Sequence, residues 1–154
     1  MKQFVLLVLL VPLFARAEVH TVQSVDYRDY QSLFFDPHFL TISPGDSIAF
    51  TVTNFDHQPQ SVFVPDGARH WQAENGENIT VQFEEEGVYI FDCHYHNVMG
   101  MAGVILVGSP GNVEAARQFF VTYREETFAF NKARLDYLWD AASPLVSSPQ
   151  GAPD

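Results

Sequence analysis

The stretch Asp92-Cys93-His94-Tyr95-His96-Asn97-Val98-Met99-Gly100-Met101 holds one thiol, two imidazoles and two thioethers within nine residues. Sulfur and imidazole suit a metal that must be held in two oxidation states. Two His, one Cys and a weak axial Met form the donor set of a mononuclear electron-transfer copper site. A hard-cation site would present carboxylate and carbonyl oxygens instead. Cys93 is the single cysteine of the chain, so it has no disulfide partner within it. By position alone it is a buried small hydrophobe, an intermolecular link or a functional thiolate. The His and Met residues around it favour the thiolate.

A further donor must come from another segment. His57 lies in Asn54-Phe55-Asp56-His57-Gln58-Pro59-Gln60-Ser61, just past a strongly strand-like run. Such a His can meet the late loop if both sit at one pole of a sandwich. His94 directly follows Cys93 and is expected to point outward as a polar side chain. His20, His38 and His70 have no ligand spacing and read as surface polar residues. Asn78-Ile79-Thr80 matches a glycosylation sequon, a pattern common by chance. No acid/base pair or nucleophile–base arrangement is evident, so the expectation is not an enzyme.

The elements that must position these donors are short strands separated by turn signals. Candidate strands are Val19–Val25, Ser32–Asp36, His38–Ile42, Ser47–Asn54, Ser61–Val64, Ile79–Phe83, Val88–Cys93 and Ala102–Val107. Alternation in Ile48-Ala49-Phe50-Thr51-Val52-Thr53 fits the period of two of a strand. Ser43-Pro44-Gly45-Asp46 has the chemistry of a tight turn, and Arg69–Glu74 reads as one helical turn. Beyond Gly108, Asn112 is a candidate N-cap. Val113, Ala116, Phe120 and Tyr123 then follow helical spacing, with Phe128, Leu135, Leu138 and Trp139 suggesting a second helix or a continuation.

The first seventeen residues combine Lys2, an apolar run from Phe4 to Phe14, and the small-x-small sequence Ala15-Arg16-Ala17. This is the pattern of a secretory signal peptide, too short to span a bilayer. The expected organisation is a signal peptide at 1–17, a β domain at 18–108, a helical extension at 109–142 and a flexible tail at 143–154. Losing Lys2 and Arg16 takes the formal net charge from −11 to −13. So acidic a chain does not suit nucleic acid or anionic lipid, and favours cationic partners. No stable membrane insertion is expected.

Three further stretches carry a family resemblance. Phe35-Asp36-Pro37-His38-Phe39-Leu40 with Ser43-Pro44-Gly45-Asp46-Ser47-Ile48-Ala49-Phe50, then Gly87-Val88-Tyr89-Ile90-Phe91-Asp92-Cys93, then Cys93, His96 and Met101 at Cys-x-x-His-x-x-x-x-Met spacing, resemble the pseudoazurins. These belong to the plastocyanin/azurin group of cupredoxins. The match runs from about Leu33 to the first C-terminal helix. It implies an all-β fold, a cupredoxin Greek-key β-sandwich or barrel with a C-terminal α-helical extension. It implies one copper ion, Cu(I) or Cu(II), held by His57, Cys93, His96 and Met101, with Met101 rather than Met99 as the axial ligand. It also implies that His96 is the ligand nearest solvent and the electron port, with Phe55, Val98 and Met99 as an apolar collar.

The implied function is one-electron carriage in the periplasm by a monomer. The implied partners are redox proteins: a c-type cytochrome, or a copper or haem reductase or oxidase, with a basic docking face. Copper delivery or storage is the alternative. The chain departs from the family pattern in three ways. Gln58 replaces the usual Asn after the first His, His94-Tyr95 replaces the usual Thr-Pro, and the surface is acidic where pseudoazurins are typically basic around the exposed His.

Overall fold

The computed structural model describes residues 16–53, 55–134 and 136. Nearly all of the expected signal peptide and the whole expected tail at 143–154 lie outside the described residues. The strands are β1 (Val19–Arg28), β2 (Gln31–Asp36), β3 (Phe39–Ile42), β4 (Ser47–Thr51), β5 (Pro59–Phe63), β6 (Ile79–Gln82), β7 (Gly87–Cys93) and β8 (Ala102–Val107). They form two four-stranded sheets, in the orders β2-β1-β4-β6 and β3-β8-β7-β5. β1 runs parallel to β4 and β3 parallel to β8; the other neighbours are antiparallel. Arg69–Glu74 is not a helical turn. Its backbone runs beside β5, with Ser61 N donating to Trp71 O (2.9 Å) and Ala73 N to Pro59 O (2.9 Å). The edge of β5 thus takes up polar groups that a helix would have satisfied internally.

β7 and β8 are buried at every residue, as strands covered on both faces must be. Period-two alternation sends Tyr89, Phe91 and Cys93 between the sheets, and Val88 and Ile90 to the outer face. There α1 (Val113–Thr127) covers them with Ala116 and Phe120. Asn112 stands at the start of α1 but makes no side-chain cap. Its Oδ1 accepts from Val88 N (2.7 Å) and its Nδ2 donates to Val88 O (3.1 Å), fastening the helix to β7 instead.

Phe91 is fully buried against Phe35, Phe50 and Trp71, with ring centroids 5.0, 5.2 and 6.4 Å away. Across the ladder stands Gly103. A Cβ there would fall 2.3 Å from Phe91 Cζ and 2.6 Å from His38 O, so the missing side chain is what admits the ring.

Past α1 the chain doubles back as a strap. Ala129 N and Phe130 N both donate to Val98 O (2.9 and 3.1 Å). Asn131 Nδ2 donates to Met99 O (2.9 Å), and Arg134 Nη1 donates to Leu33 O on β2 (2.8 Å). Asn131 has φ +55, a left-handed conformation that Asn tolerates better than most residues. Residues 132–134 and 136 are helical, while Leu138 and Trp139 lie outside the described residues.

Candidate metal centre

The pole of the sandwich is built by strand register. Pro59, the first residue of β5, pairs with Cys93, the last residue of β7. His57 and Gln58, just before β5, therefore sit beside a thiol 36 positions away. Cys93 ends the inward alternation of β7, so its side chain enters the interior. The loop after it is wound tightly: His96 N donates to Cys93 O (3.1 Å), Met99 N to His96 O (3.0 Å) and Gly100 N to Asn97 O (2.8 Å). Gly100, at φ +74, allows the reversal, and a Cβ there would meet Phe130 O of the strap at 2.9 Å. The chain rejoins the sheet where Cys93 N donates to Met101 O (3.0 Å).

This brings His57, Cys93 and His96 together, with one donor atom from each lying within 4.8 Å of the others. Cys93 Sγ is 3.8 Å from His57 Nδ1 and 3.7 Å from His96 Nδ1. The two imidazole rings lie 5.1 Å apart at 64°. His57, Cys93 and Met101 have no exposed surface, and His96 is partly exposed. Met101 packs in the same interior cluster as Cys93. Met99, in the 3-10 turn Asn97–Met99, stays partly exposed. His94 is exposed and makes an edge-on contact with Tyr95.

The electrostatics suit a soft cation. Burial pushes the Cys93 thiol up, against backbone hydrogen bonds from Gln58, His96 and Tyr95. A metal that displaces the thiol proton removes that penalty, because the thiolate is the ligand form. Burial lowers His96, and neighbouring His57 lowers it further, which keeps its lone pair available. A buried sulfur that binds as its thiolate, two imidazole nitrogens and an interior thioether fit copper and suit no hard oxygen-seeking ion.

Several supporting groups were not legible in the sequence. Asp26, on β1, accepts a hydrogen bond from His57 Nε2 (2.8 Å). That bond fixes the tautomer and leaves Nδ1 facing Cys93, the carboxylate–histidine arrangement that orients metal ligands. Gln58 supports the sulfur through its backbone, with N 3.4 Å from Cys93 Sγ. Its side chain donates instead to Ala73 O (2.8 Å), and His94 N donates to Gln58 O (2.9 Å), joining the segment before β5 to the loop after β7. Asp92 points the opposite way from Cys93 and is fully buried. Its carboxylate accepts from Tyr123 Oη of α1 and Gln60 Nε2; burial raises its carboxyl even so.

A two-sheet sandwich with this donor set at one pole defines a cupredoxin. The family model for copper binding proteins of the plastocyanin/azurin family matches residues 22–108. A pseudoazurin from Paracoccus pantotrophus is 32% identical over 115 residues, covering 73% of this chain and 78% of that protein. A pseudoazurin from Methylorubrum extorquens is 39% identical over 88 residues, which are 55% of this chain and 60% of that protein, less than two thirds of its length. The structure of a pseudoazurin from Sinorhizobium meliloti superposes with a TM-score of 0.72 at 28% identity, covering 84% of this chain and 99% of that one. The chain belongs to the plastocyanin/azurin family of copper binding proteins as a pseudoazurin-like member, and copper is its cofactor.

Proposed function

We propose that the chain is an exported one-electron carrier in which His57, Cys93, His96 and Met101 hold one copper ion. The observation that carries this reading is the convergence of Cys93 Sγ with the Nδ1 atoms of His57 and His96. Bound copper supplies the Cu(I)/Cu(II) couple, and the protein supplies position and electrostatics. His57 is held by Asp26, Cys93 by its strand and Gln58 N, and Met101 by the interior. A set fixed this way has little to rearrange when an electron arrives or leaves. His96 is the partly exposed member and serves as the port.

Close in sequence to His57 and His96 are Phe55, Tyr95 and Val98, which are 75%, 50% and 44% exposed, and Met99, which is partly exposed. They form an apolar collar for short-lived docking. Asp26 and Asp56 act electrostatically on His96, which favours a partner with a basic face. The assignment is to a monomeric carrier, not an enzyme. It works in the periplasm once residues 1–17 are removed, with the β domain at 18–108, the helical extension at 109–142 and the tail at 143–154. Among the described residues no helix is long and apolar enough to cross a membrane.

The test is electron exchange between the copper-loaded protein and a basic c-type cytochrome, followed by stopped flow. The rate should fall as salt rises, because attraction between exposed charges is screened over about 10 Å at 0.1 M. No exchange, together with copper transfer to an apo acceptor, would instead support delivery.

Asp26→Asn removes a negative charge beside a ligand while keeping a polar group of similar size. Loss of such a partner weakens metal affinity by about 10–100-fold. If the loss falls on Cu(II), the potential rises by about 59 mV per tenfold change. Voltammetry of the variant checks this, and an unchanged potential would show that Asp26 acts only as packing.

A further inference from the structure

Removal of residues 1–17 would leave Glu18-Val19-His20 at the N-terminus. A free α-amine with His in third place offers four nitrogens to one ion: the amine, two peptide nitrogens and the imidazole Nδ1. These close two five-membered chelate rings and one six-membered ring in a plane. Square-planar nitrogen coordination suits Cu(II) and Ni(II).

The structure has already gathered the two ends of this set. Asp46, buried in the turn before β4, accepts from Glu18 N through Oδ1 (2.8 Å). Its Oδ2 lies 3.2 Å from His20 Nε2 and accepts from Ser43 N (2.9 Å). One carboxylate thus holds both the nitrogen that cleavage would free and the third-residue imidazole. With Nε2 engaged by Asp46, the remaining ring nitrogen of His20 is Nδ1, the atom the chelate requires. An orienting carboxylate behind a ligating His is the usual second partner at metal sites. A coordinated amine keeps two N–H bonds, so its contact with Asp46 can persist. The backbone N–H groups of Glu18 and Ser43 hold the Asp46 carboxyl below the ordinary carboxylate range. A cleft of about 410 Å³ adjoins this carboxylate, lined by Glu18, Ser43 and Pro44 and also by Arg16 and Ala17, which cleavage removes.

We propose that the mature chain carries a second metal site at Glu18-Val19-His20, for Cu(II) or Ni(II), backed by Asp46. It rests on the export reading, because a peptide bond at Glu18 N abolishes the amine. His20 and Asp26 are six residues apart on β1, roughly 20 Å at about 3.3 Å per residue, so this site is remote from the pole. Starting from an ammonium terminus and neutral His20, binding releases three protons: one from the ammonium and one from each peptide nitrogen. No electron is transferred. The structural cost is the first rung of the β1–β4 ladder, where Val19 pairs with Ser47 and His20 with Ile48. Strand ends open most easily.

The experiment uses exported protein with copper at the pole, its N-terminus fixed by mass spectrometry, titrated with Ni(II). A chain beginning at Glu18 should take up one equivalent and develop the absorption and circular dichroism of planar Ni(II). His20→Gln should lose that equivalent. So should a chain extended by one residue before Glu18, which keeps His20 intact. The spectrum of the pole copper should not change in either. Unchanged uptake by both altered chains, or no uptake by the chain beginning at Glu18, overturns the proposal. A mature start other than Glu18 also overturns it, because the free amine then no longer stands two residues before His20, and leaves the pole assignment standing.

Discussion

Serine in place of Cys93 should eliminate the intense visible absorption of the copper-loaded protein. That band requires a thiolate on the metal, and Cys93 is the single cysteine in the chain. The side chain is fully buried between two imidazoles, and a hydroxyl of similar shape occupies the space without the soft donor. Copper affinity should fall by more than the about 10–100-fold that follows loss of a supporting partner. Optical titration of Cu(II) into the variant measures both. His94→Ala is the matched control, since His94 is exposed, and it should leave the band in place. Equal band intensity in Cys93→Ser and the parent protein would remove Cys93 from the metal.

Phe91→Ala should be the most destabilising single change near the site. The ring is fully buried among Phe35, Phe50 and Trp71. It fills the space that Gly103 leaves on the facing strand. Truncating a buried Phe to Ala typically costs about 3–5 kcal/mol, against total stabilities of about 5–15 kcal/mol. Urea unfolding of the copper-free protein should show a large fall in midpoint or no folded baseline. Copper should recover part of the loss, because a ligand that binds only the folded state stabilises it by mass action. A loss below about 1 kcal/mol would show that the neighbouring aromatics close the cavity, and that Phe91 does not anchor β7 beneath the site.

The eight strands could be located in the sequence because turn signals and alternating side chains bound them. β7 and β8 were legible for a different reason. They are short apolar runs without clean alternation, because α1 covers the face that would otherwise meet water. His57 could be placed because the end of a strong strand is a plausible pole position. Asp26 could not, because its partner lies 31 residues away and nothing in the composition of β1 separates an orienting carboxylate from a solvated one. Gln58 shows the same limit in another form. Its side chain departs from the family pattern, yet its backbone N–H still reaches the sulfur, and backbone roles leave no trace in residue identity. Arg69–Glu74 was misread because hydrogen bonds to β5, outside the segment, decide its conformation. The strap from Ala129 to Arg134 was invisible for the same reason, since its contacts are largely to carbonyl groups of the metal loop and β2.

Copper-edge X-ray absorption of the Cu(II) protein reads directly which atoms surround the ion. The expected spectrum is that of one copper per chain with a single short sulfur bond and two imidazole nitrogens. A first shell of nitrogen and oxygen alone would contradict it, and the acidic sandwich would then need another purpose.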